Sequence, residues 1–100
     1  MVTVECINIQ QAKEILSTGD ALLLDIRDKE DYEEDYDPVS YHLTNENIKA
    51  FIRDTPKTKP LIVMCYHGIS SRQVAQYLVN EGFEKIYSLI GGYELWKNDM

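Results

Sequence analysis

Apolar and polar positions along the chain separate into short apolar runs and longer amphipathic segments. The runs at 21–26 and 61–65 are almost continuously apolar, which is typical of strands buried on both faces of a parallel sheet. Shorter segments at 6–9, 39–43 and 85–89 also have the character of strands. The pattern therefore predicts a central sheet of about five strands.

Helical periodicity, with apolar residues three and four positions apart, occurs between these strands. The predicted helices are 10–17, a short exposed helix within the acidic stretch 28–37, 45–53, 70–80, and a terminal helix after Gly91 and Gly92. We interpret Thr44 as the N-cap of the third helix and Ser70 or Ser71 as the N-cap of the fourth. Because strands and helices alternate, the sequence predicts one α/β domain over residues 1–100. Its central sheet should be mainly parallel, with helices flanking both faces.

Length and charge limit the classes of function. The chain has 100 residues, of which 44% are hydrophobic, enough for one folded core. A net charge of −7 argues against binding to nucleic acid or to an anionic membrane. No apolar run reaches transmembrane length, and we expect no signal peptide, because the first residues lack a basic stretch and a long apolar run. We therefore expect a soluble, cytoplasmic protein, and nothing in the sequence indicates more than a monomer or weak dimer.

A cysteine at the end of a predicted strand is the candidate nucleophile. Cys65 ends the apolar run 61–65, and a short loop leads from it into the helix that begins near Ser70. Ligands of open α/β sheets bind at this carboxyl edge. Amide groups of a tight loop and of a helix start favour a thiolate, which is the reactive form of cysteine. The alternative interpretation is a cysteine that only fills space in the core.

Three neighbours of Cys65 could support this chemistry. Gly68 permits backbone angles that are closed to other residues. His67 is either a substrate-binding group or an exposed loop histidine. Arg72 either guides an anionic substrate or is an exposed helix charge, and we favour guidance.

Other polar residues are interpreted as structural. Asp25 and Arg27 should hold a strand end and the neighbouring loops together, and His42 should make a hydrogen bond at a strand end. Cys6 is expected to lie in the core. His42 and His67 are too isolated in the chain to suggest a zinc site, so no metal is predicted.

The cysteine loop reads Cys65-Tyr66-His67-Gly68-Ile69-Ser70-Ser71. Other notable segments are Leu24-Asp25-Ile26-Arg27, His42-Leu43-Thr44-Asn45 and Gly91-Gly92-Tyr93-Glu94-Leu95-Trp96. In this order, the segments resemble the rhodanese family of sulfurtransferases, and most of all its small single-domain thiosulfate sulfurtransferases of the GlpE type. The resemblance covers nearly the whole chain.

This resemblance implies a two-step sulfur transfer without metal or cofactor. The Cys65 thiolate would take the outer sulfur of thiosulfate as a persulfide and release sulfite. Cyanide or a thiol, such as that of thioredoxin, would then accept the sulfur. The residues implied in substrate binding are Tyr66, His67, Gly68, Ile69, Ser70, Ser71 and Arg72, mainly through backbone amides and the Ser70 hydroxyl.

Two other functions stay open at this stage. The domain could relay persulfide sulfur that a partner protein delivers. It could also be a cysteine phosphatase, although phosphatases separate cysteine and arginine by five residues and six separate Cys65 from Arg72.

The chain departs from many rhodaneses at Asp35 and Tyr36, where they carry Gly-His. This difference leaves the path of the loop 35–38 unassigned.

Overall fold

Strands and helices alternate along the chain in the computed structural model, which describes residues 4–67 and 70–99. The strands are β1 (Glu5–Ile7), β2 (Leu22–Asp25), β3 (Ser40–His42), β4 (Leu61–Met64) and β5 (Ile86–Leu89). The helices are α1 (Ile9–Leu16), α2 (Lys29–Glu34), α3 (Ile48–Asp54), α4 (Ser70–Asn80) and α5 (Gly92–Trp96), with a final 3₁₀ turn at Lys97–Asp99.

The five strands form one parallel sheet in the order β1-β5-β4-β2-β3. This arrangement confirms the predicted α/β fold. The connection from β2 leads outward to β3, whereas the connection from β4 leads in the opposite direction to β5. The carboxyl ends of β2 and β4 therefore flank a topological switch point, which is where open α/β sheets bind ligands.

Two apolar layers cover the sheet, one on each face. Because side chains alternate along a strand, Leu24 and Val63 pack beneath α3 and α4, while Leu23 and Met64 pack beneath α1 and α5. All four side chains are fully buried. The prediction that helices flank both faces is confirmed, and the continuous apolar runs are explained by this double burial.

The first helix begins one residue earlier than its pattern predicts. Asn8, which we placed in the first strand, caps α1 by accepting from the Gln11 N–H over 2.8 Å. The Gln11 side chain accepts from the Asn8 N–H in return, over 2.9 Å. This reciprocal capping box ends β1 at Ile7.

The predicted N-caps of the third and fourth helices are wrong. Thr44 and Asn47 exchange hydrogen bonds across a turn, and this turn delays the start of α3 to Ile48, with Asn47 as its N-cap. Ser70 and Ser71 both lie within α4, so neither caps it.

The expectation that Cys6 is a core residue is also wrong. Cys6 lies in β1 at the edge of the sheet and is exposed. Its neighbour Ile7 points to the opposite face, where α1 and α5 bury it. Because β1 is an edge strand, Cys6 stays exposed on its side of the sheet.

Candidate active site

Cys65 follows the central strand β4 directly, at the carboxyl edge of the sheet. The ladder between β2 and β4 extends to this point, because the Ile26 N–H donates to the Met64 carbonyl over 2.9 Å. Cys65 is 5% exposed. The candidate nucleophile thus stands beside the switch point of the fold, in largely dry surroundings.

The start of α5 holds the backbone on which the cysteine stands. The N–H of Tyr93 donates to the Cys65 carbonyl over 2.7 Å, and the N–H of Glu94 donates to the Tyr66 carbonyl over 3.1 Å. Gly92 makes this approach possible, since a Cβ atom there would overlap the carbonyl groups of Cys65 and Tyr66. Its φ of +57° also favours glycine. The turn at Gly91 and Gly92 therefore lies directly beside the cysteine loop.

Tyr66 and His67 lie at the surface of the loop. Tyr66 is 38% exposed, and its ring centroid lies 4.7 Å from that of His67. The exposed His67 bonds through Nδ1 to Glu94 Oε2 over 2.7 Å, so α5 also restrains the histidine. The predicted sulfur-binding residues Gly68 and Ile69 lie outside the described residues, and their contribution stays a prediction.

The three remaining candidate residues of the loop belong to the first turn of α4 and point in different directions. Ser71 is fully buried, and its Oγ lies 2.6 Å from Ser88 Oγ of β5. Ser70 and Arg72 are exposed, and Ser70 lines a cavity. The Ser71 hydroxyl therefore joins α4 to the sheet, which leaves its backbone amide as the group to consider for sulfur binding.

Asp25 and Arg27 form a buried ion pair below the loop. The Arg27 guanidinium donates to both carboxylate oxygens of Asp25, with distances of 2.8–3.0 Å. It also donates to the backbone carbonyls of Asp31 and Asp35, over 3.2 and 2.7 Å. Burial disfavours the charge of Arg27, but the hydrogen bonds and the charge of Asp25 outweigh it and raise the Arg27 pKa. The predicted structural role of this pair is confirmed.

His42 fixes the same region from β3. Its Nε2 lies 2.7 Å from the Arg27 carbonyl, and its ring stacks on Tyr32 with centroids 4.1 Å apart. Tyr32 in turn stacks on Tyr36, with centroids 4.7 Å apart. The predicted structural hydrogen bond of His42 is confirmed.

Asp37 organises the loop that departs from the family pattern. It accepts from the N–H of Val39 through Oδ1 over 3.0 Å, and from Trp96 Nε1 through Oδ2 over 2.9 Å. The indole thus anchors the loop to α5, 59 positions away in the chain. No sequence signal pointed to this contact, because Trp96 matches ordinary helix packing.

Two cavities adjoin the site, and Arg27 lines both. The larger, of about 690 Å³, lies at the carboxyl edge between the segments that follow β2 and β3 and the start of α4, and includes Ser70. The smaller, of about 150 Å³, lies between α2, Tyr66 and α5. Of the residues predicted to bind substrate, Ser70 lines the larger cavity and Tyr66 lines the smaller one.

A comparison with known protein families shows the family to which the chain belongs. A model of the rhodanese-like domain matches residues 8–99. The chain belongs to the rhodanese-like domain family. The position of Cys65 in this rhodanese-like domain agrees with the resemblance of its loop to a sulfurtransferase active site.

Solved structures share the fold of this rhodanese-like domain at low sequence identity. A human single-domain sulfurtransferase, TSTD1, is 15% identical with a TM-score of 0.83, and the match covers 97% of this chain and 98% of that one. A rhodanese-like domain protein of Staphylococcus aureus is 21% identical with a TM-score of 0.79, over 93% and 91%. A Rhodopseudomonas palustris protein of unknown function, described as a possible tyrosine phosphatase, is 22% identical with a TM-score of 0.78, over 96% and 81%. These likenesses show the fold.

Residues 4–67 and 70–99 contain neither a candidate metal site nor a helix that could cross a membrane. Within these ranges, no three histidine, cysteine or acidic side chains are grouped so that they could hold a metal ion. Every helix in the same ranges is too short or too polar to cross a membrane.

Proposed function

We propose that this rhodanese-like domain is a thiosulfate sulfurtransferase in which Cys65 carries the sulfur as a persulfide. The observation that carries the proposal is the place of Cys65. It is a buried cysteine at the carboxyl end of the central strand, at the switch point of the sheet, with its carbonyl held by α5.

The reaction consists of two displacements at sulfur. The Cys65 thiolate attacks the outer sulfur of thiosulfate, the S–S bond of thiosulfate breaks, and sulfite leaves with the bonding electron pair. An acceptor, cyanide or a thiolate such as that of thioredoxin, then attacks the terminal sulfur of the persulfide. The electron pair of the Cys65–sulfur bond returns to Cys65 as a thiolate, so no external oxidant or reductant takes part.

Backbone amides of the loop and of the first turn of α4 are proposed to hold the anionic sulfur. Their donors would replace the water that the persulfide loses in a dry site. The residues concerned are Tyr66, His67, Gly68, Ile69, Ser70, Ser71 and Arg72. Ser70 lines the larger cavity, through which thiosulfate and the acceptor are proposed to enter. Arg72 is proposed to attract the dianionic donor.

We further propose that the domain acts in the reducing cytoplasm as a monomer or weak dimer.

A phosphatase is the second candidate, because one structural neighbour is described as a possible tyrosine phosphatase. The spacing argues against it, since six residues separate Cys65 from Arg72. A sulfur relay that only a partner protein can load is the third candidate, and it uses the same persulfide.

The deciding measurement is the intact mass of the reduced protein before and after incubation with thiosulfate. We expect wild type and Cys6→Ser to gain one sulfur atom that cyanide removes, and Cys65→Ser to gain none. A gain on Cys65→Ser would overturn the assignment of the nucleophile. No gain in wild type would overturn the thiosulfate activity, and hydrolysis of p-nitrophenyl phosphate would then identify a phosphatase.

A further inference from the structure

A buried hydroxyl lies beside the smaller cavity, which we call the acidic pocket. Its walls are Asp31, Glu34, Asp35, Tyr66, Tyr93 and Lys97, with Arg27 between it and the larger cavity. Tyr93 is 2% exposed, and its hydroxyl has no hydrogen-bond partner among the described residues. An unpaired buried hydroxyl is unfavourable, so a polar group that reached it from the pocket would be stabilised there.

The neighbours of the Tyr93 hydroxyl show that it is a protonated donor and acceptor. Burial, followed by the nearby Asp35 carboxylate, raises the pKa of Tyr93 to about 12, and Arg27 opposes this shift. The Asp35 carboxylate is thus close enough to act on the phenol.

The charges around the pocket favour a cation. Three carboxylates line it, against one ammonium group on Lys97. Arg27 adds little net positive charge, because Asp25 pairs with it at 2.8 Å. The pocket also opens beside a segment, 28–37, in which seven of ten residues are acidic. No cluster suited to a metal ion occurs in residues 4–67 and 70–99, so an organic cation fits the pocket better.

We propose that the acidic pocket receives a lysine or arginine side chain of a protein that exchanges sulfur with Cys65. The volume of about 150 Å³ fits the end of one side chain and falls below the 300–1,000 Å³ that is common for whole small ligands. The acidic surface around the opening complements a basic protein surface, which favours a protein over a free amine.

The pocket lies beside the cysteine loop. Tyr66 lines it and directly follows Cys65, and Arg27 separates it from the larger cavity that contains Ser70. A partner anchored here could present a thiolate to the persulfide, as the proposed function requires. That thiolate would form a bond to the terminal sulfur, the bond between this sulfur and Cys65 would break, and Cys65 would leave as a thiolate.

The first test measures binding without any sulfur chemistry. Nα-acetyl-lysine methylamide is titrated into Cys65→Ser, and the backbone amide shifts of Glu34, Asp35 and Tyr66 are followed by NMR. We expect saturable shifts at these amides. Adding Glu34→Gln to Cys65→Ser should weaken binding about fivefold, whereas adding Glu30→Gln should change binding little. Glu30→Gln is the matched control. It removes the same charge from α2, but Glu30 does not line the pocket.

Comparison ligands define what would overturn the binding claim. Nα-acetyl-norleucine methylamide has a similar length but no charge, and equal shifts from it would overturn the cation site. Absence of saturable shifts with the lysine ligand and with its arginine counterpart would do the same. Spermidine is a further probe. If it binds much more tightly than the lysine and arginine ligands, a free polyamine is the occupant and the proposed protein partner is overturned.

The second test measures the effect on sulfur exchange and separates the two proposals. Persulfide on wild type is discharged with cysteine peptides that carry lysine or glutamine three residues from the cysteine. We expect the lysine peptide to react about fivefold faster, with the advantage lost in Glu34→Gln and kept in Glu30→Gln. Equal rates would overturn the docking role. Failure of wild type to form any persulfide would instead overturn the proposed function, whatever the binding result with Cys65→Ser.

Discussion

The N–H of Tyr93 donates to the carbonyl of Cys65 over 2.7 Å. This bond joins the last helix of the domain to the end of its central strand, at the residue proposed as nucleophile. It depends on Gly92, which has no side chain to separate the two backbones. The glycine turn is therefore part of the support of the cysteine loop.

Gly92→Ala should displace the cysteine loop. The new Cβ overlaps the carbonyls of Cys65 and Tyr66, so we expect a loss of about 3 kcal/mol or more of unfolding free energy in urea. Sulfur transfer should fall with it. Gly19→Ala is the matched control, because Gly19 has a φ of +79° but open space around it. Only the backbone cost of about 1–2 kcal/mol should appear there. Equal losses in the two variants would contradict the clash.

Arg27→Met should destabilise the domain by about 3–5 kcal/mol, because it leaves the buried Asp25 carboxylate without its cation. The double variant with Asp25→Asn should recover part of this loss, since no uncompensated charge remains. Arg53→Met removes a cation from an exposed pair with Asp54, and it should leave the urea midpoint unchanged. A loss in Arg53→Met as large as that in Arg27→Met would show that burial of the pair is unimportant.

Tyr93→Phe should change how stability depends on alkaline pH. The folded-state pKa of about 12 lies above the value of about 10 for an unfolded tyrosine. The folded state therefore favours the neutral over the ionised phenol. This contribution to the free energy of unfolding is complete below pH 10 and is lost as the pH rises towards 12. Urea midpoints from pH 8 to 11 should fall more steeply for wild type than for Tyr93→Phe. At pH 7 the variant should be at least as stable, because the hydroxyl it removes is unpaired. Parallel curves would contradict this account.

Ser71→Ala should reduce stability and leave the chemistry of sulfur transfer nearly intact. The change leaves the buried Ser88 hydroxyl unpaired, at a cost of about 1–3 kcal/mol. Adding Ser88→Ala should recover most of that cost. Ser70→Ala should have the opposite profile, with unchanged stability and slower transfer, because its hydroxyl is exposed at the larger cavity. A slow but fully stable Ser71→Ala would place its hydroxyl at the sulfur instead.

The sequence predicted the order of the elements better than their ends. The apolar runs marked β2 and β4, because both strands are buried on two faces. The ends of β1 and α3 depended on side-chain hydrogen bonds of Asn8 and Asn47, and competing polar groups of this kind are difficult to rank from one sequence. The burial of Cys6 was wrongly predicted, because strand position within a sheet is a property of the whole fold.

The sequence by itself determined the α/β class, the loop that carries Cys65 and the family resemblance, because these depend on local periodicity and on contiguous residues. Only the tertiary structure decided that α5 holds the Cys65 carbonyl, that Trp96 anchors Asp37, and that Tyr93 borders an acidic pocket. Each of these contacts joins segments far apart in the chain. Their distances depend on how the connections cross the sheet, and no local pattern records that geometry.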